Sequence, residues 1–160
     1  MRVVSDTSVL IYCGKTGSLA LLAGCFEEVI VVREVVRELG ADSDEIRACR
    51  QVAGFYFPGP QQRNFSSTLQ QCERMDYGEL GVLHYAETHS VHTVLVDDAA
   101  GRRCAQALGL RVVGLLGVLR IAKRTGAIPA VRPLADAAIA AGYRIRPSVY
   151  AAFLHRIGEA

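Results

Sequence analysis

The chain has 160 residues, 51% of them hydrophobic, enough to fill the core of one domain and too apolar for a disordered segment. Its net charge of +2 hides an uneven distribution: residues 1–100 hold 8 basic and 14 acidic residues, whereas residues 101–160 hold 10 basic and 2 acidic. No apolar run reaches the roughly 18 residues of a membrane helix and no secretory pattern opens the chain, so a soluble cytoplasmic protein is expected.

Val3 and Val4 lead into Ser5, Asp6, Thr7 and Ser8 and then into Val9, Leu10 and Ile11, the pattern of a short buried strand turning into a helix. Asp6 thus stands at a strand's carboxyl end. Its simplest use is to cap the helix, a role that Thr7 or Ser8 could also fill. A carboxylate at the carboxyl edge of an open α/β sheet is also well placed for chemistry. Residues 17–24 read as a short apolar helix with Gly24 as its stop. The β-branched run 29–32 predicts a central strand, feeding a helix over 33–39 with Gly40 as C-cap. On that helix Glu34 and Glu38 share one face, either as solvated residues beside Arg33 and Arg37 or reaching back over the sheet edge. A further helix over 41–52 has its cap candidates in Asp42, Ser43 and Asp44.

The interval 55–67 gives the weakest signal. Pro58, Gly59 and Pro60 predict a turn and residues 61–64 a polar loop or edge. Phe55, Tyr56, Phe57 and Phe65 suit the core better than base stacking beside Arg63. From Asp76 onward the spacing predicts a helix whose Asp76 and Glu79 have the separation of a capping box. Residues 93–96 predict another strand, ending in the adjacent acids Asp97 and Asp98, whose mutual repulsion calls for water, a cation, or Arg102 or Arg103 as compensation. Helices over 99–108, 115–124, 131–141 and 147–157 and a strand over 111–113 complete the chain, with Gly126 and Gly142 as stops and Pro147 in a first turn.

Cys13, Cys25, Cys49, Cys72 and Cys104 form no CxxC pair and leave one over, so they read as small buried hydrophobes rather than a disulfide framework. The four histidines lack an HExxH arrangement, and a zinc enzyme is not supported. Strands alternating with helices imply a mostly parallel sheet with right-handed crossovers. Under that topology Asp6 and Asp97 end neighbouring strands on one edge, and Glu38 and Glu79 sit on helices able to lean over it. Such an all-oxygen cluster is usually stabilised by hard divalent cations such as Mg²⁺ or Mn²⁺, which activate water and stabilise the leaving oxygen of a phosphodiester. The late basic stretch then suits the phosphates of a polyanion, or simply makes the fold soluble.

The ordered set of Asp6 to Ile11, Glu38-Leu39, Gly78-Glu79 followed by Ala86, Leu95-Val96-Asp97-Asp98 with Gly101-Arg102, and the late segment 117–126 resembles the PIN domain, most closely its VapC-like prokaryotic branch. The resemblance spans nearly the whole chain. It implies one three-layer α/β/α domain over residues 1–160, with a mostly parallel central sheet and a helical C-terminal portion from about residue 131. It also implies a Mg²⁺- or Mn²⁺-dependent ribonuclease with Asp6, Glu38, Glu79 and Asp97 as catalytic metal ligands and Asp98 beside them. In that branch the enzyme is the toxin of a toxin–antitoxin pair, held by a small antitoxin protein, and self-association as a homodimer is common. Two departures stand out: Glu79 occupies a position where many relatives have Asp, and Asp97-Asp98 replaces a hydroxyl residue followed two positions later by Asp.

Other α/β readings fit less well. A phosphoaspartate receiver lacks its early acidic pair, a haloacid-dehalogenase-type phosphatase would need Asp where Ser8 stands, and no GxGxxG follows the first strand. The remaining competitor is a PIN-like fold serving as a catalytically weak or inactive nucleic-acid or protein-binding module.

Overall fold

The computed structural model describes residues 1–62, 64–72 and 75–160. Five short strands, β1 (Arg2–Ser5), β2 (Glu28–Ile30), β3 (Phe55–Tyr56), β4 (Thr93–Leu95) and β5 (Arg111–Val113), form one sheet in the order β3-β2-β1-β4-β5. Every pairing is parallel, with Val3 opposite Val29, Val4 opposite Val94 and Val94 opposite Val112. Parallel strands covered on both faces must be apolar throughout. Val3, Val4, Val29, Ile30, Val94 and Leu95 are accordingly inaccessible to solvent, each contributing about 1.5–3 kcal/mol through burial.

Ten helices among the described residues flank this sheet: α1 (Thr7–Lys15), α2 (Leu19–Cys25), α3 (Arg33–Leu39), α4 (Asp44–Gln51), α5 (Ser67–Gln70), α6 (Tyr77–Thr88), α7 (Ala99–Ala107), α8 (Leu115–Arg124), α9 (Arg132–Ala140) and α10 (Pro147–Arg156). The chain grows outward from β1 through β2 to β3, then returns through α5 and α6 to place β4 on the other side of β1. Strand order therefore reverses between β1 and β4. In an open α/β sheet the crevice at such a switch point is where ligands bind.

Local signals account for most boundaries. Ser43 caps α4 by accepting from the Ile46 N–H, Gly40 ends α3 at φ +93°, and Pro147 opens α10. Gly24 is not a stop: it lies within α2, and the chain turns extended only at Phe26. The segment after β2 is shorter as a strand than its valines suggest, because Val31 and Val32 continue beyond the paired residues to the start of α3. β3 and the single-turn α5 lie in the interval where the sequence gives the weakest signal; of the loop predicted there, Arg63 falls outside the described residues.

One cysteine expectation is overturned. Cys72, just after α5, and Cys104, on α7, form a disulfide with their Cα atoms 5.8 Å apart, whereas Cys13, Cys25 and Cys49 are free. The pairing depends on α5 and α7 packing together, a contact between segments 32 residues apart that spacing does not reveal. The C-terminal helices build a small second core in which Leu119, Val131 and Ala135 are buried and Tyr150, Phe153 and Ile157 pack around them. Among the described residues no helix is long and apolar enough to cross a membrane.

Candidate metal centre

Asp6 follows β1 directly, and its backbone N–H donates to the Leu95 carbonyl of β4 at 2.9 Å, extending the ladder to the strand ends. Its side chain caps α1: Oδ1 accepts from the Val9 N–H at 3.0 Å and Oδ2 from the Ser8 hydroxyl at 3.0 Å. Asp97, at the end of the neighbouring strand, adds a longer N–H contact to Oδ2 at 3.4 Å. Only 4% of Asp6 remains exposed. Burial is the main reason its carboxyl is pushed up to about 7; the nearby charge of Asp97 acts in the same direction, and the donated hydrogen bonds oppose it.

Glu38 reaches the same place from the last turn of α3, where its Oε2 accepts from the Thr7 hydroxyl at 2.8 Å. Close packing of α3 on α6 makes this possible. A Cβ on Gly78 would collide with Glu38 Oε2, and one on Gly81 would stand 2.7 Å from Glu34 Cγ. Gly81 is thus required by the approach of α3, whereas a side chain at Gly78 would displace the Glu38 carboxylate from its present position. Glu34 itself lines a separate small cavity with His84 and Phe65 rather than the sheet edge.

Glu79 and Asp76 form the capping box predicted for α6. The Glu79 N–H donates to Asp76 Oδ1 at 2.8 Å, and the Asp76 N–H donates to Glu79 Oε2 at 3.1 Å. The box does not use up Glu79. Its carboxyl is pushed up to about 7, chiefly by burial and then by the charges of Asp76, Asp98 and Glu38. Gly101 of α7 is close beneath it: a Cβ there would lie 3.3 Å from Glu79 Oε1.

Asp97 and Asp98 diverge although they are adjacent. Asp98 caps α7 with Oδ2, which accepts from the Ala100 and Gly101 N–H groups at 2.6 and 3.0 Å. The Asp97 carboxylate instead accepts from Arg102 Nη2 (2.9 Å), the Tyr143 hydroxyl (3.0 Å) and the Leu115 N–H (3.0 Å). Burial, and then the charge of Asp97, raise the Tyr143 phenol well above its ordinary range. Arg102 is the local counter-ion foreseen for the acidic pair, and it serves Asp97 alone among the described residues.

Asp6, Glu38, Asp76, Glu79 and Asp98, with Thr7, Ser8 and Ile11, line one cavity of about 350 Å³ at the switch point, and among the described residues no lysine or arginine lines it. Of the acids singled out in the sequence, Asp6, Glu38, Glu79 and Asp98 are brought together here. Asp97 stands behind Asp6 with its carboxylate in the neighbouring cleft. Asp76, read in the sequence only as a cap, joins the cavity, and the capping-box spacing that ties it to Glu79 is the signal that could have placed it there.

Among the described residues the acids are not already drawn into a closed cluster of three or more around an ion position. Their chemistry nevertheless fits a hard divalent cation. All the charged donors are carboxylate oxygens, and burial, with the neighbouring acids, pushes two of them, Asp6 and Glu79, up to about 7. Glu38 Oε1, Glu79 Oε1 and Asp98 Oδ1 accept no hydrogen bond from the described residues and remain available as ligands.

Comparison with curated proteins and with solved structures finds no match. A family model described as DUF3368, PIN domain, matches residues 2–159, essentially the whole chain. The chain therefore belongs to the PIN-domain family, whose members are generally nucleases that bind divalent metals.

Proposed function

We propose that this protein is a Mg²⁺- or Mn²⁺-dependent endoribonuclease that hydrolyses RNA phosphodiester bonds in the acid cavity at the β1/β4 switch point. The observation that carries the proposal is the convergence of five carboxylates from the end of β1, α3, and the starts of α6 and α7 on a cavity with no cation among its described lining residues. Asp6, Glu38, Glu79 and Asp98 would hold the metal. Once bound, it would supply Lewis-acid charge to a phosphoryl oxygen and lower the pKa of an attacking water.

The chain's own residues divide the remaining work. Asp6 is fixed by Val9 and Ser8 on a strand end, and such rigid placement is what a ligand set needs. Thr7 orients Glu38, and the Asp76 backbone orients Glu79. Asp97 is a positioning residue whose N–H supports Asp6 while Arg102 and Tyr143 anchor its side chain. The resemblance to the VapC-like branch extends the proposal to a toxin restrained by a small antitoxin protein, with two copies of the chain associating.

Purified protein incubated with a mixed pool of single-stranded and structured RNAs should cut only when Mg²⁺ or Mn²⁺ is added. Asp6→Asn should lower the rate by at least about a hundredfold, the scale expected when a directly placed electrostatic group is lost. Cutting that survives chelation or this substitution would refute the assignment. One observation favours a second reading, a catalytically weak binding module: among the described residues the acids are not gathered beforehand around an ion position. Folded, partner-free protein that cuts in neither metal would decide for the module.

A further inference from the structure

Beyond Asp97, on the side away from the acid cavity, a cleft of about 930 Å³ runs between the end of β5, α8 and α10. Five arginines line it, Arg102, Arg120, Arg144, Arg146 and Arg156, against one acid, Asp97. Arg102 is committed to Asp97. The other four are exposed and make no ion pair among the described residues. Arg144 and Arg146 alternate along the segment leading into α10, so both can project to the same side. Half of the ten basic residues of the last sixty are therefore gathered in this one concavity.

Four uncompensated guanidinium groups spread over α8, α10 and the segment before α10 call for a ligand with negative charges repeated along its length. Guanidinium forks match phosphate oxygens in geometry as well as charge. Between the arginines the wall is apolar, with Leu116, Ile121, Val149 and Phe153. Val149 is 44% exposed and adds accessible apolar surface to this wall. Unstacked bases offer apolar faces to such a wall, whereas a duplex keeps its bases hidden, so the mixture favours a single strand. The two concavities are adjacent: Asp97 lines the cleft and directs its N–H to Asp6, and the next residue, Asp98, lines the acid cavity.

We propose that this arginine cleft binds the phosphate backbone of single-stranded RNA and leads the strand past Asp97 into the acid cavity. The inference rests on the reading of that cavity as an RNA-cleaving site. It adds a binding surface that the catalytic acids do not need for chemistry, and it gives the basic C-terminal third of the chain a specific use.

The test is fluorescence anisotropy of a labelled, unstructured RNA of about 12 nucleotides, titrated with protein in chelator so that nothing is cut. Wild type should bind with strong salt dependence, log affinity falling against log salt with a slope of about −3 for four phosphates neutralised. Arg144→Glu with Arg146→Glu, both exposed and outside the cores, should bind at least about tenfold more weakly and flatten the slope by about 1.4. A duplex of equal length should bind more weakly.

Undiminished binding by the double variant would overturn the inference. So would equally tight binding of the duplex, or displacement of the RNA by an equimolar acidic polypeptide, which would assign the cleft to a protein partner. These outcomes are separable from the fate of the nuclease reading. A double variant that binds as wild type beside a wild type that cuts sinks only the cleft. Salt-dependent binding lost in the double variant, from protein that never cuts, keeps the cleft and sinks the nuclease.

Discussion

Asp6 carries a conflict between stability and chemistry in a single side chain. It caps α1, which favours its ionised form, yet burial beside Asp97 pushes its carboxyl from about 4 to about 7. Below pH 4 folded and unfolded chains both hold the proton and the group is neutral to stability. Between about pH 4 and pH 7 the unfolded chain ionises while the folded chain does not, so stability falls as pH rises and stays low above pH 7. Asparagine retains the cap without the charge. In chelator, Asp6→Asn should therefore unfold at a higher temperature than wild type at pH 8, by about 1–3 kcal/mol of stability, with the advantage vanishing near pH 4. A lower midpoint at pH 8 would contradict this account of the site's electrostatics. At this scale the sequence was partly legible. Strand-acid-hydroxyl at Asp6 and the three-residue spacing of Asp76 and Glu79 are local patterns with local causes. The division of labour between Asp97 and Asp98 is not local: it depends on Arg102, Tyr143 and the Leu115 N–H, and two of those three lie on elements far along the chain.

Between elements, the site depends on contacts that bring α3, α6 and α7 over one strand edge. Gly81 lets α3 close on α6, Gly78 leaves room for the Glu38 carboxylate that reaches Thr7, and Gly101 lets α7 pack against Val96 beside Glu79. A helix with glycines at such spacing reads in sequence as a weak helix, and only the facing residues show why small ones are needed. The Cys72–Cys104 disulfide acts on the same region, tying the segment before Asp76 to the helix that Asp98 caps. Five cysteines in no motif gave no hint of it. Cross-linking a loop of this length should stabilise the fold by about 3–4 kcal/mol. Urea unfolding followed with and without a reducing agent should show the midpoint drop on reduction, and Cys104→Ser should reproduce the drop in either condition. An unchanged midpoint in both experiments would show that the bridge contributes nothing.

Across the whole molecule, the uneven charge of the chain is resolved in space into an acid cavity lined by Asp98 and an arginine cleft lined by the adjacent Asp97. The parallel order with its reversal between β1 and β4 makes this possible, because it brings residues 6 and 97–98, some ninety positions apart in the chain, to one edge. The alternation of valine-rich runs with amphipathic helices made that topology legible, and the acids that follow β1 and β4 marked the edge where the acid cavity lies. The edge strand β3 escaped because two paired residues between a glycine and a proline-rich turn carry too little pattern to identify. The most direct test of the central claim, that the cavity is a divalent-metal centre, is calorimetric titration of Mn²⁺ into the purified protein in buffers of different ionisation heat. Wild type should bind saturably and release protons to the buffer at pH 6.5, fewer at pH 8, while Asp6→Asn loses most of its affinity. Folded wild-type protein that takes up no Mn²⁺, or an Asp6→Asn variant that takes it up equally well, would contradict the claim.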